Sequence, residues 1–437
     1  MRRLNSPKCQ PNEQRIWSNL MPHTPMITWI LLKARQSTST PGNRQSIDFE
    51  LQYWSVEYLL TRDRPHNQPY ETMLPDWFQR ALGPGYLALV LTALRAREQL
   101  RERYRRSYAL PELLESTSTK PLVEFYSVST QRVSHYAEVS PYDRTRLDPG
   151  GRYLNASWVR ELYGEKWWIV ARMPSQDTVY TFLSVLLERI SPPGLPPSRV
   201  RTVVQLTGDV GGGAHPYLPD AVGNSRVFNE FPGLGSPRRS FEVKLIAKNV
   251  VEEMHYTIST VAITGLARLA RNVVQGPPVI FTHVSYTAWP DLGVPGPGYH
   301  KVLVNFAVQM DKINRIHASG GDPDPPIMVH SSSNSGCAGV FIALSSLWRS
   351  YPRLLPTPIS TQPQPPLSPS PLGSLPSHVS EDLIAQEIDS CREQCPGLFP
   401  TDTQITFLYL TLGRTLCGET NLDHKLQELM ELTYPPM

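Results

Sequence analysis

Cysteine is scarce in this chain. Its 5 cysteines among 437 residues (9, 337, 391, 395 and 417) share no repeating spacing, which argues against a disulfide framework. Cys391 and Cys395 fall on one helical stretch with no second ligand pair nearby, so a zinc site is not expected. Long apolar runs are also missing. The longest early one, Met26 to Leu32, is too short to span a bilayer, and Met1-Arg-Arg leads into polar residues rather than a signal-peptide core. No membrane partner is expected, and the default setting is a reducing, cytoplasmic one. The net charge of +3 excludes a strong electrostatic case for nucleic acid. The Gly-rich run Gly208 to Gly213 ends in neither Lys-Ser nor Lys-Thr and has no G-x-G-x-x-G frame, so it is no nucleotide loop. A G-x-S-x-G elbow is absent too, which removes the commonest serine-hydrolase arrangement.

Proline, by contrast, is plentiful. The 43 prolines are about twice the usual share. Nine of them crowd Tyr351 to Ser377, which reads as an extended, mobile insertion in the range 351–378. Residues 1–75 show no sustained periodicity and read as an N-terminal extension, either disordered or a small added segment. A globular domain is expected over 76–420, followed by a tail, 421–437. Apolar content of 40 % suits a core of that size.

Within the domain, Pro75 to Leu100 reads as helix broken near Gly83-Pro-Gly85. Its continuation from Arg95 to Arg106 is so charged that a solvated helix end, laced with Glu/Arg pairs, is the simplest reading. A docking face for an acidic partner is the alternative. Trp167–Val170 and Val203–Leu206 read as buried strands with a helix from Thr178 to Arg189 between them. Phe241–Leu245, Met254–Thr264 and Val279–His283 read as further strands. Tyr299–Ile316 is an amphipathic helix. Ser380 is the expected N-cap of a helix over 381–395, and Thr401-x-x-Gln404 the expected capping box of a helix over 403–416.

The most informative stretch is Ile327-Met-Val-His-Ser-Ser-Ser-Asn-Ser-Gly-Cys-Ala-Gly-Val-Phe-Ile-Ala-Leu344. An apolar strand enters a loop of small residues and then a helix. Loop N–H groups and the helix's positive end point into one hollow, an anion cradle. Upstream lies Thr282-His-Val-Ser-Tyr-Thr-Ala-Trp-Pro-Asp-Leu-Gly-Val-Pro295. This string resembles the mobile acid-bearing loop of the protein tyrosine phosphatases. Ser134-His-Tyr-Ala-Glu-Val-Ser-Pro-Tyr-Asp143 resembles that family's phosphotyrosine-recognition loop, and Tyr153-Leu-Asn-Ala-Ser157 its Tyr-Ile-Asn-Ala-Ser strand. The resemblance implies an α/β fold: a highly twisted mixed sheet flanked by helices, with the phosphate cradle at a strand–helix junction.

It also implies roles. Asp291 holds the general-acid position, Tyr136 the ring-stacking position, and Glu138 the place of an Asp that holds the substrate backbone. His330, Ser332, Ser333, Asn334, Ser335 and Gly336 would form the substrate cradle, and Gln404 would be a supporting glutamine. No cofactor or metal is implied. The cradle departs from the family's pattern of His-Cys, five residues, Arg, Ser or Thr, then Gly. Ser331 stands at the nucleophile position, Cys337 at the phosphate-clamping Arg position, and Ala338 at the hydroxyl position. Ala171-Arg-Met-Pro174 replaces the family's Thr-Gln-Gly-Pro, and Pro400 replaces a water-orienting Gln.

A thiol with an ordinary pKa near about 8.5 is ionised by such a cradle, whereas a serine hydroxyl is far too weak an acid. The expected function is therefore that of a pseudophosphatase, an interaction module for a phosphotyrosine-containing or acidic protein, weakly held if held at the pocket. An active protein-tyrosine phosphatase is the alternative. A scaffold using the Arg-rich helix or the Pro-rich insertion is the second.

Overall fold

The computed structural model describes residues 28–36, 47–55, 76–81, 83–109, 119–128, 140–207, 215–230, 239–269, 272–290, 293–316, 322–331, 336–350 and 365–417. The chain divides into two units, Met1–Met73 and Leu74–Met437. In the first, β1 (Thr28–Gln36) and β2 (Ile47–Ser55) pair antiparallel, Thr28 opposite Ser55 and Gln36 opposite Ile47.

The second unit opens with α1 (Asp76–Ala81), α2 (Pro84–Ala109) and α3 (Lys120–Phe125). Then come β3 (Ala156–Arg160), β4 (Trp167–Arg172), α4 (Val179–Leu187), β5 (Thr202–Gln205) and β6 (Ser225–Asn229). β7 (Arg239–Val251), β8 (Tyr256–Leu269), β9 (Asn272–Gln275) and β10 (Val279–Tyr286) follow. The unit closes with α5 (His300–Ile316), β11 (Ile327–Ser331), α6 (Gly336–Ser350), α7 (Leu383–Gln394) and α8 (Asp402–Cys417).

Nine strands form one mixed sheet in the order β3-β4-β11-β5-β10-β8-β7-β6, with β9 on β8. β4, β11, β5 and β10 run parallel, and the remaining pairs are antiparallel. Every residue of β11 and β5 is buried, as an apolar run covered on both faces requires. One face packs Met328, Ile169, Val203 and Phe281 against the apolar helix α4. On the other, Trp168 meets Phe341 of α6 edge-to-face at 5.7 Å, and Phe341 meets Phe306 of α5 at 5.4 Å. α6 is buried almost all round, from Val340 to Leu344, and is the central helix of that layer. The mixed sheet with helices on both faces is the α/β architecture expected.

Four local expectations change. The Arg-rich part of α2 is not a solvated face. Arg97 and Arg101 are buried, and Arg101 donates to Asp389 at 2.5 Å and to Glu393 at 2.8 Å on α7. Arg95 and Arg106 make exposed pairs, with Asp402 and Glu102. The second half of the Pro-rich stretch is a bound strap. Arg97 donates to the carbonyls of Leu372, Gly373 and Ser374, and Arg160 to that of Pro365 at 2.6 Å. Pro carbonyls are good acceptors, so a proline-rich segment is held wherever guanidinium donors reach it. The N-cap of α7 is Asp382 rather than Ser380: its carboxylate accepts from the Ile384 and Ala385 N–H groups at 2.9 and 3.0 Å. Finally, the strand expected at Tyr153–Ser157 begins only at Ala156, and its pairing with β4 sets that start.

Candidate active site

The four parallel strands deliver their carboxyl ends to one edge of the sheet, where open α/β sheets bind ligands. Ser331 at the end of β11 lies opposite Arg172 at the end of β4, and His330 lies opposite both Ala171 and Gln205. β10 ends on the same edge, with Ser285 opposite Gln205. The end of β11 is tied on both sides. The Met173 N–H donates to the Ser331 carbonyl at 3.1 Å, and the Leu206 N–H to the His330 carbonyl at 3.0 Å.

Alternation along β11 sends successive side chains to opposite faces. His330 therefore enters the layer under α4 and not the substrate cradle to which the resemblance assigned it. Its imidazole is fully buried, with Nε2 and the Tyr217 hydroxyl 2.7 Å apart and the Phe182 ring edge-on at 5.5 Å. Burial pushes its pKa down to about 3, helped by His283, whose ring lies 6.2 Å away and is itself lowered to about 3 by burial. Both imidazoles are neutral at physiological pH. Neither can serve as a cation toward a phosphate. Tyr217, which fixes the His330 ring, carried no signal in the sequence.

Ser331 faces the opposite way and is buried, at 3 % exposure. Ser332, Ser333, Asn334 and Ser335 lie outside the described residues. The chain resumes at Gly336, the first residue of α6, and Cys337 follows at 5 % exposure. The thiol is not in a disulfide.

Two glycines let the α7–α8 connection press on the start of α6. A Cβ on Gly336 would sit 2.6 Å from both amide heteroatoms of Gln404 and from Cδ of Pro400. One on Gly339 would meet the Phe399 ring at 3.0 Å. Phe399 itself holds a left-handed φ of 53°, which aims this turn at α6. Gln404 thus lies beside the cradle, 4 % exposed, and its Oε1 has no hydrogen-bond partner among the described residues. Half of the expected capping box is present: the Thr401 hydroxyl accepts from the Gln404 N–H at 3.3 Å. Phe399 and Leu398 were not legible as neighbours of the cradle.

The acid-bearing loop leaves β10 on the same edge. Trp289 is buried, donates its indole N–H to the Gly293 carbonyl at 3.1 Å and lies 6.3 Å from the Phe407 ring of α8. Upstream, the Thr287 N–H donates to the His255 carbonyl at 2.9 Å. Both flanks are fastened, while Asp291 between them lies outside the described residues. Tyr136 and Glu138 do as well. The residues just after them are placed: Tyr142 is buried, and its hydroxyl accepts from Arg105 at 2.8 Å.

Residues 130–355, just over half the chain, match the model of the family described as Protein-tyrosine phosphatase. The chain belongs to that family. It is 24 % identical over 236 residues to Tyrosine phosphatase H2 of Microplitis demolitor bracovirus (isolate Webb), covering 51 % of this chain and 64 % of the relative. It is 23 % identical over 314 residues to tyrosine-protein phosphatase non-receptor type 2 of Rattus norvegicus, covering 70 % and 61 %. Among solved structures it is similar to the protein tyrosine phosphatase TcPTP1 of Trypanosoma cruzi, at a TM-score of 0.47 and 19 % identity, covering 77 % of this chain and 96 % of that one. The chain spans less than two thirds of the length of the curated relatives it matches first. Among the described residues no helix is long and apolar enough to cross a membrane, and no group of three or more His, Cys, Asp or Glu side chains could hold a metal ion.

Proposed function

We propose that this protein is a pseudophosphatase, a member of the family that keeps the frame of the phosphate cradle without its chemistry and works as a binding module. The observation that carries the reading is the pair of side chains on that frame: Ser331 where the thiolate nucleophile belongs and a buried Cys337 where the guanidinium belongs. Attack on phosphorus requires an anionic nucleophile at neutral pH. Ser331 would need a neighbouring base. The adjacent imidazole faces the other side of the sheet and is occupied by Tyr217. The phosphate clamp is the larger loss. A guanidinium grips an oxyanion by two charge-assisted N–H bonds of about 1.5–3 kcal/mol each, and a thiol replaces neither. Backbone N–H groups at the start of α6 remain, and Arg172 stands opposite Ser331 in register. These favour a weak phosphorylated or acidic partner over a tightly held phosphotyrosine.

The test is turnover of a phosphotyrosine peptide by the purified chain beside Asp291→Ala. No release of phosphate above the variant is expected. Turnover that disappears in Asp291→Ala would overturn the proposal. The complementary variant, Ser331→Cys with Cys337→Arg, is expected to show measurable turnover where the natural chain shows none, because Gln404 and the Trp289 loop flanks are in place.

A further inference from the structure

On the flank of the sheet behind edge strand β3 lies a cavity of about 630 Å³ that shares no described residue with the cradle. Its walls are the ends of β3 and β4, the outer face of α7 and the strap that begins at Pro365. The size falls within the range of small-molecule sites. Trp158 and Trp167, packed edge-to-face at 6.0 Å, make one wall, and Pro193 and Pro365 contribute further apolar surface.

The polar lining is asymmetric. Asp389 and Glu393 on the α7 wall are already engaged, Asp389 by Arg97 and Arg101, Glu393 by Arg101, Tyr126 and Ser370. Arg144 lies over the Phe125 ring at 4.0 Å and donates to the Glu393 carbonyl. Arg160 is different. Its residue is 5 % exposed, yet its one carboxylate partner is Glu165, at 3.1 Å and itself 60 % exposed. Another of its nitrogens donates to the Pro365 carbonyl, and Nε has no acceptor among the described residues. The indole N–H of Trp167, on the same wall, also lacks an acceptor. Burial lowers the pKa of Arg160 against the small compensation from Glu165, as expected of a cation short of partners. Buried donors without acceptors are costly; these two atoms are shut off from solvent and mark a deficit of acceptors around Arg160, while both residues line the hollow.

We propose that this cavity is a second binding site, for a small organic anion whose carboxylate or phosphoryl head meets the Arg160 guanidinium beside the exposed Glu165 and whose flat apolar body lies against Trp158 and the prolines. A guanidinium suits either head, since both present paired oxygens to its N–H fork. The two sources are separated by titrating the full chain calorimetrically with 2-naphthoate, 2-naphthylphosphonate and the neutral 2-naphthamide. At least one anion is expected to bind one-to-one, with the amide at least tenfold weaker; the tighter anion identifies the head. Arg160→Met is expected to weaken binding ten- to a hundredfold, and Arg160→Lys less. Ser390→Phe fills the void from α7 without touching the guanidinium, and should abolish binding even if Arg160→Met does not fold. The proposal fails if neither anion binds the folded protein at millimolar concentration, if the amide binds equally well, or if binding survives Ser390→Phe.

Discussion

Replacing Arg101 with Met tests whether the charged half of α2 belongs to the interior. The substitution keeps an unbranched apolar stem of similar reach and removes the guanidinium. Arg101 is fully buried and donates to Asp389 at 2.5 Å, to Glu393 at 2.8 and 3.1 Å, and to Glu98 at 3.4 Å. Breaking a buried ion pair from one side costs about 3–5 kcal/mol, because the abandoned charge stays desolvated. Here neither main carboxylate is abandoned. Asp389 keeps Arg97 at 2.9 Å, and Glu393 keeps the hydroxyls of Tyr126 at 2.9 Å and Ser370 at 2.6 Å. The expected loss is therefore at the lower end, about 3 kcal/mol, read from urea unfolding followed by circular dichroism. A double-mutant cycle with Glu393→Gln should return a coupling of about 1–3 kcal/mol. A loss below about 0.5 kcal/mol, the usual result at an exposed site, would refute the reasoning and return this stretch to solvent.

Gly336→Ala drives a methyl to 2.6 Å from the Gln404 amide and Pro400, so a loss of about 1–3 kcal/mol is expected by thermal or urea unfolding. Gly339→Ala meets the Phe399 ring at 3.0 Å and Cβ of Leu398 at 3.3 Å, looser contacts than those at Gly336, and should cost less than Gly336→Ala in the same assay. Glu387 is fully buried, and burial together with Glu161 outweighs its hydrogen bonds to raise its pKa from 4.5 to about 7. A raised carboxyl contributes stability that is present below pH 4.5 and lost as pH rises through 7, about 3 kcal/mol for this shift. Glu387→Gln should remove that leg from the difference in unfolding free energy between pH 4 and pH 8; an unchanged slope would assign it to another group.

Much of the fold could be read from the chain because its signals are local. Alternation marks β7, β8 and β10, the short apolar runs Ile327–Val329 and Val340–Leu344 mark β11 and α6, and Gly83-Pro-Gly85 marks the break between α1 and α2. What escaped depends on distant partners. The carboxylates that draw Arg97 and Arg101 inward lie 288 to 292 positions later, so a charged helix looked solvated. The strap at 365–375 looked unstructured because its donors, Arg97 and Arg160, sit on α2 and β3. At the site, the spacing of His330, Ser331, Cys337 and Gly339 was legible, whereas His330, which the resemblance assigns to the cradle, turns to the other face. Its partner Tyr217, and the pressure of Phe399 on Gly339, follow only from how the chain folds back.

β11 lies in the middle of the sheet, with a parallel neighbour on each side, and the central helix of one layer follows after four intervening residues. Folding by itself imposes demands on this segment: an imidazole at 330 that fits under α4, no side chain at 336 or 339, and apolar residues from 340 onward. Positions 331 and 337, to which the proposed reading assigns the missing chemistry, carry small, buried side chains here. Under the proposed function, loss of catalysis and survival of the scaffold are separable at the level of single residues. A chain released from the first obligation would still be bound by the second, and would wear the outline of an enzyme for as long as it folded.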